Sequence, residues 1–136
     1  MLSKQARYAM LAMVFLARAD EKQVVSIGQI AESEHIPQRM LERIMLQLKN
    51  HGWLESTRGK AGGYRLTKQP DQISLLDIVL RFEDSVSMLA CTCEDGYRPC
   101  EFCKDEYTCP IRSTFASIYR QTVDTLRRTT LADLVK

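Results

Sequence analysis

All five cysteines of this chain lie between Cys91 and Cys109, spaced Cys91-x-Cys93-x6-Cys100-x2-Cys103-x5-Cys109. A disulfide framework would spread its cysteines across the fold and use an even number. An odd number crowded into one segment points instead to metal or redox chemistry. Thiolate is a soft ligand, preferred by zinc and by iron–sulfur clusters. Cys100-x2-Cys103 has the spacing of one zinc knuckle, whereas Cys91-x-Cys93 is tighter than a usual second one. A cluster held by three or four cysteines of one loop accommodates irregular spacing. The pattern therefore favours an iron–sulfur cluster, with a zinc site or a metal-free thiol switch as alternatives. No histidine lies near these cysteines, and the sequence has no Ser-His-Asp or paired-carboxylate motif, so it reads as a non-enzyme.

The cysteine segment carries five acidic residues and two basic ones, with Gly96 and Pro99 set against regular structure. It reads as a loop whose shape depends on something other than a core. The elements that must position it lie on either side. Upstream, residues 3–19 form an amphipathic pattern, with Ala6, Ala9, Met10, Met13 and Ala17 at helical spacing. Ser26 and Gln29 have the spacing of a capping box, opening a short helix with Ile27, Ile30 and Ala31 inward and an end near His35. Pro37 suits the first residue of a third helix, whose stripe is Met40, Leu41, Ile44, Met45 and Leu48 and whose stop is Gly52. Two short helices joined by a tight turn, the second flanked by basic side chains, are a helix-turn-helix candidate.

Trp53–Thr57 and Tyr64–Thr67 read as strands around the basic, glycine-rich Arg58-Gly59-Lys60-Ala61-Gly62-Gly63. An Arg at such a tip suits a narrow, electronegative minor groove. The loop lacks the strand-loop-helix context and Lys-Ser/Thr ending of a P-loop. A helix-turn-helix followed at once by this hairpin is a winged helix. After Pro70, Ser74-x-x-Asp77 can cap a helix holding Leu75, Ile78, Val79 and Phe82, expected to pack on the first three helices. Downstream of the cysteines, Pro110 is expected to start a long helix to about Arg128, with Ile111, Phe115, Ile118, Thr122 and Leu126 along one face. Thr130-x-x-Asp133 can cap a last turn. A long amphipathic helix needs a surface for its stripe. Its own domain could supply one, but a second copy is favoured, and a two-fold dimer would set two recognition helices about one DNA turn apart.

The expected fold is mainly α with a small β-hairpin: a winged helix-turn-helix domain over 1–70, a packing helix over 71–90, a cysteine-rich loop over 91–109, and a dimerisation helix with a C-terminal turn over 110–136. Charge follows the same division. Residues 1–68 hold 11 Lys and Arg against 6 Asp and Glu, and residues 69–136 hold 8 against 11. A basic first half suits double-stranded DNA. At 136 residues, 45% apolar and 26% charged, the composition is that of a folded globular chain. No stretch is apolar enough for a membrane span, and no secretory signal opens the sequence, so a cytoplasmic location is expected.

The chain resembles the winged-helix regulators that include the iron–sulfur regulator IscR, the nitric-oxide-sensing repressor NsrR and the cysteine-metabolism repressor CymR. The resemblance spans nearly the whole sequence. It rests on Ala6-Arg7-Tyr8-Ala9, Ile27-x-x-Ile30-Ala31, Ile36-Pro37-x-x-x-Leu41-Glu42, Leu48-x-x-x-Gly52, the wing Arg58–Leu66, the late cysteines and Leu131–Val135. It implies a homodimeric transcription regulator, usually a repressor, with the third helix in the major groove and the wing tip in the minor groove. By position, Glu42 matches a base-reading glutamate of IscR-like members and Arg58 the wing arginine. Gln38, Arg39 and Arg43 are added from helix position, and Lys60 from the wing tip.

Cluster-bearing members ligate the metal (2Fe-2S or 4Fe-4S) with three cysteines of this loop. Cys103 and Cys109 match the last two. Cys93 and Cys91 both lie where the first belongs, and Cys93 is taken as that ligand. Some members add a His three residues after the last cysteine, where this chain has Arg112. Others add an acidic residue of the first helix, where it has Arg7. Neither is a normal ligand, which favours an all-cysteine site completed by Cys100 or Cys91. The signal implied is nitric oxide, redox or iron status. An electron-transfer or cluster-carrier protein would leave the wing and the basic half without a purpose.

Overall fold

The computed structural model describes residues 2–93, 98–99 and 108–135. Its elements are α1 (Lys4–Arg18), α2 (Ile27–Glu34), α3 (Gln38–Asn50), β1 (Leu54–Thr57), β2 (Gly63–Leu66), α4 (Leu75–Phe82), α5 (Arg112–Arg128) and α6 (Leu131–Leu134). Short 3-10 turns cover Pro70–Gln72 and Ala90–Thr92. No helix of the described residues is long and apolar enough to cross a membrane.

Local chemistry sets most of the boundaries. The Ser3 hydroxyl accepts from the Ala6 N–H and caps α1. Ser26 with Gln29, Ser74 with Asp77 and Thr130 with Asp133 each form a reciprocal capping box, opening α2, α4 and α6. His35 ends α2 in the left-handed conformation. Two expected starts shift. Pro37 is the N-cap of α3, not its first residue, because its carbonyl already accepts the Leu41 N–H. Pro110 lies outside α5, where Ile111 takes the N-cap and accepts the Phe115 N–H. Ile111 is thus not part of the helical stripe assigned to it.

The core gathers Met13 and Leu16 of α1, Ile30 of α2, Leu41, Ile44, Met45 and Leu48 of α3, Leu54 of β1 and Ile78 of α4, with Trp53 and Ile73 from the connections. On α1 the buried face runs through Ala6, Ala9, Ala12, Met13 and Leu16. Met10 and Ala17, expected inward, are half-buried at its margin. Three alanines in that face let neighbouring backbones approach closely. The chief packing partners of α4 are α1 and α5, a narrower set than three helices. The Ser3 N–H donates to Glu83 Oε1 at 2.6 Å, tying the start of α1 to the end of α4. That bonding to Ser3 holds the Glu83 carboxyl below its ordinary pKa.

The hairpin is antiparallel, with Leu54 opposite Leu66 and Thr57 opposite Gly63. Val25, just before α2, adds a bridge to Tyr64 through bonds of 2.9 and 2.7 Å. The chain's far end also returns to the core. Leu75 N–H donates to Thr129 O at 2.8 Å, Leu131 N–H donates to Ile73 O at 3.0 Å, and Leu131 is fully buried against the rest of the core. Leu131→Ala is expected to cost about 3 kcal/mol, the usual penalty for emptying a leucine site in a packed core. Urea unfolding measures it. A loss below about 1 kcal/mol would mean that α6 is not integral to the core.

Candidate nucleic-acid interface and cysteine site

The helix α3 is strongly two-faced. At 100° per residue, Leu41, Ile44, Met45 and Leu48 fall on one side and are buried. Gln38, Arg39, Glu42, Arg43, Leu46, Lys49 and Asn50 are exposed on the remainder. The four α3 residues singled out from the sequence, Gln38, Arg39, Glu42 and Arg43, are thus all available to a partner, with nothing else of the described protein covering them. No side chain caps the N-terminus of α3.

The hairpin presents a second basic point. Arg58 and Lys60 are exposed at its tip. Gly59 turns the tip with φ of +108°, a conformation that side-chain-bearing residues rarely adopt. Glu55 and Arg65, directly opposite across the strands, form an ion pair. Gly63 answers a different need. A Cβ there would sit 2.2 Å from the Val25 carbonyl oxygen, so only glycine lets β2 lie against the segment before α2. This contact fixes the hairpin relative to α2 and α3. Below it, the His51 and Trp53 rings meet edge to face, with centroids 4.3 Å apart. Burial, with Arg81 and Lys68 nearby, holds His51 below its ordinary pKa.

The cysteine segment is described at its two ends. Cys93 is buried, 7% exposed, while Cys91 and Cys109 are half-buried. Cys100 and Cys103 lie outside the described residues. Among those described, no three His, Cys, Asp or Glu side chains gather closely enough to hold a metal. The turn Ala90–Thr92 packs on α5. There Arg112, in the first turn of α5, donates from Nη2 to the Cys91 carbonyl oxygen at 3.4 Å. Its Nε is buried without a hydrogen-bond partner among the described residues. Cys109 lies three residues before Arg112, so both ends of the loop converge on the N-terminus of α5. The donor chemistry, thiols from both ends of one loop beside an unpaired guanidinium nitrogen, fits an anionic thiolate-bound group.

Sequence reasoning missed the hydroxyl groups around Cys93. Ser85 Oγ lies 2.7 Å from Cys93 Sγ. Ser87 Oγ lies 2.7 Å from Thr92 Oγ1, and both hydroxyls donate to the Leu89 carbonyl oxygen. Thr92 is itself buried. The Ser85-x-Ser87 pair lies in a segment with no regular element, where two serines carry no signal of a thiol partner. Arg112 was noted only as a residue unable to ligate, and its bond to the Cys91 carbonyl is an added role.

α5 shows the largest unmet packing demand. It has 17 residues and none is buried. Phe115, Thr122 and Leu126 of its expected stripe are half-buried, and Ile118 is 38% exposed.

Comparison with known proteins agrees over the full length. A family model described as "Rrf2: Iron-dependent Transcriptional regulator" matches residues 2–136. An rrf2-like helix-turn-helix-type transcriptional regulator of Rhodobacter capsulatus is 35% identical over 138 residues, covering 99% of this chain and 92% of that protein. The structure of CymR, the global cysteine regulator of B. subtilis, superimposes with a TM-score of 0.81 at 29% identity, covering 99% of this chain and 95% of that one. The T. potens IscR structure gives 0.75 at 26% identity, covering 99% and 85%.

Gly63→Ala is expected to break both Val25–Tyr64 hydrogen bonds, each worth about 1 kcal/mol. Hydrogen exchange at the Tyr64 amide should quicken by about tenfold or more. Unchanged protection would show that the hairpin is held by other contacts.

Proposed function

Because this chain belongs to the Rrf2 family of transcriptional regulators, we propose that it is a homodimeric repressor whose operator binding is controlled by an iron–sulfur cluster sensing nitric oxide, redox or iron status. The observation that carries this reading is the convergence of the cysteine loop's two ends on α5, a helix with no buried residue of its own. A change at the thiols bears directly on the element that a second subunit would cover.

In this reading Gln38, Arg39, Glu42 and Arg43 of α3 enter the major groove. The Glu42 carboxylate accepts from cytosine N4, and the arginines take guanine edges or phosphates. Arg58 and Lys60 reach the neighbouring minor groove, where an arginine gains most from a narrow wall-to-wall width. The half-buried and exposed apolar side chains of α5 are covered by the same helix of a second subunit. The two-fold then sets two α3 helices against half-sites about one turn apart.

Cys93, Cys103 and Cys109 are the proposed ligands, with Cys100 or Cys91 as the fourth. The cluster, when bound, supplies a centre that reacts with oxidants and nitric oxide. The chain's own residues prepare for it. Ser85 holds the buried Cys93 sulfur by a hydroxyl bond, and Arg112 sets positive charge beside the loop while holding the Cys91 backbone. Regulation requires that DNA affinity differ between the two states of the loop. A second reading keeps the DNA-binding role and makes the cysteines a metal-free thiol switch or a zinc site. The Ser85–Cys93 contact suits this reading as well, because a hydroxyl holds a thiol as readily as a metal ligand.

The DNA model predicts a log–log salt slope near −0.9 per phosphate neutralised. Arg58→Ala should lower that slope by about 1 and weaken all sequences alike if the contact is to phosphate, or selectively reduce a preference for a narrow groove. Glu42→Ala should relax preference at a cytosine by about tenfold. Both variants binding a selected operator like wild type would overturn the docking.

The cysteine model is tested by anaerobic purification with assay of iron, sulfide and zinc per chain. Near-equal iron and sulfide are expected, falling sharply in Cys93→Ser and Cys109→Ser. A colourless protein with one zinc, or one with neither metal and a reversible disulfide, would establish the second reading.

A further inference from the structure

Leu46 is the anomaly of the exposed face of α3. It is 52% exposed. Its neighbours one turn away are Glu42 and Arg43 before it, and Lys49 and Asn50 after it, all exposed and polar. At 100° per residue it stands close to the line of Arg39, Arg43 and Asn50, opposite the buried stripe of Leu41, Ile44, Met45 and Leu48. The other large exposed apolar side chains are Leu2 just before α1, Leu11 on α1, Leu80 on α4, Met88 before the turn Ala90–Thr92, Ile111 at the N-cap of α5 and Ile118 within α5. Among the described residues, Leu46 is the one such side chain between 19 and 79, within the basic part of the molecule.

We propose that Leu46 reads a thymine through its C5-methyl group, as a sequence-determining contact in the major groove. The inference rests on the docking of α3 proposed above and deepens it. The major-groove edge of a duplex offers one apolar feature, the thymine methyl, and apolar side chains recognise it by contact. A leucine set among Arg39, Glu42, Arg43, Lys49 and Asn50 fits that feature. The polar ring engages phosphates and base edges, and the aliphatic centre meets the methyl group. The flanking Arg39, Arg43 and Lys49 match the anionic duplex, Glu42 is the one acidic neighbour, and these charges together would oppose burial of this leucine against an apolar protein surface. Spacing also locates the base. Leu46 lies four residues, about 6 Å, along the helix from Glu42. Stacked bases rise about 3.4 Å each. The thymine therefore lies within about two or three base pairs of the cytosine read by Glu42.

The test begins with selection of preferred sites from a random duplex pool by the full-length wild-type chain. Each thymine of the selected duplex is then replaced singly by uracil, which removes only the methyl group, and affinities are measured for wild type and Leu46→Ala. One thymine per half-site should show about a fourfold loss in wild type, the worth of one buried methyl-sized group. Leu46→Ala should bind the thymine and uracil duplexes equally. Since Leu46 is outside the core, its truncation leaves the fold intact, which the unfolding midpoint checks. Wild-type indifference to uracil everywhere, or an undiminished penalty in Leu46→Ala, overturns the proposal while selected-site binding upholds the docking of α3. A change of oligomeric state in Leu46→Ala without change in uracil sensitivity also overturns it, assigning the leucine to a protein contact. Failure of selection to enrich any sequence overturns the DNA reading itself.

Discussion

The burial of Leu41, Ile44, Met45 and Leu48 is the constraint on which the outward surface of the protein depends. A helix held by one stripe has no freedom to rotate about its axis. Every residue on its other side is therefore fixed in direction by the buried stripe. Arg39, Glu42, Arg43 and Leu46 inherit their orientation from side chains that never meet solvent. Core packing at crystal-like density makes such orientation precise, because even one methylene out of place is felt. The alanine-rich face of α1 serves the same end by letting the helices seat closely.

The hairpin is positioned by a different means. Two short strands alone are marginal in water. Here they gain a third partner in Val25, at the doorway of α2. The requirement that Gly63 have no side chain is a consequence of that docking, not of the tip's own turn. One glycine gives the loop its turn and another gives it an attachment. The ion pair between Glu55 and Arg65 is exposed, and pairs of that kind contribute little to stability. The backbone pairing to Val25 carries more of the burden of holding the tip near α3.

Much of this was legible in the residues. The capping boxes at Ser26, Ser74 and Thr130 are local chemistry, complete within four residues, and each opened a helix where expected. The stripe of α3 and the paired strands follow from periods of 3.6 and 2. Errors arose where the answer depended on neighbours. The exact burial of Met10 against Ala12 and Leu16 is set by which helices press on α1. Both prolines were placed one or two residues too far into their helices, because a missing N–H permits either the cap or the first turn. The hydroxyls around Cys93 and the bond from Arg112 to the Cys91 carbonyl had no sequence signature, since each joins residues from different turns. The exposure of Leu46 belongs with what the period reveals: at 100° per residue it falls off the stripe of Ile44, Met45 and Leu48, and the structure leaves it exposed.

The two halves of the chain divide their labour by what they leave unsatisfied. In the first half the core is closed and the surplus is charge, carried on exposed side chains of α3 and the wing. In the second half the charge balance reverses, and the surplus is apolar surface on α5 together with thiols at its foot. Of the described cysteines, Cys93 is buried while Cys91 and Cys109 are half-buried, so the ends of the loop sit at the margin of the folded helices. The described ends of this loop nonetheless meet α5 directly, through the packed turn at Ala90–Thr92 and the Arg112 guanidinium. α5 in turn packs on α4, and α4 on α1, which lies against α3. A displacement at the foot of α5 therefore has a contiguous path of packed elements to the helix whose outward face carries Glu42 and Leu46. Contiguity alone does not make a switch. In the proposed dimer it would become one, since a small rotation at a two-fold axis is magnified with distance and changes the separation of the two α3 helices. DNA, whose half-sites repeat at a fixed pitch, is a partner sensitive to that one coordinate.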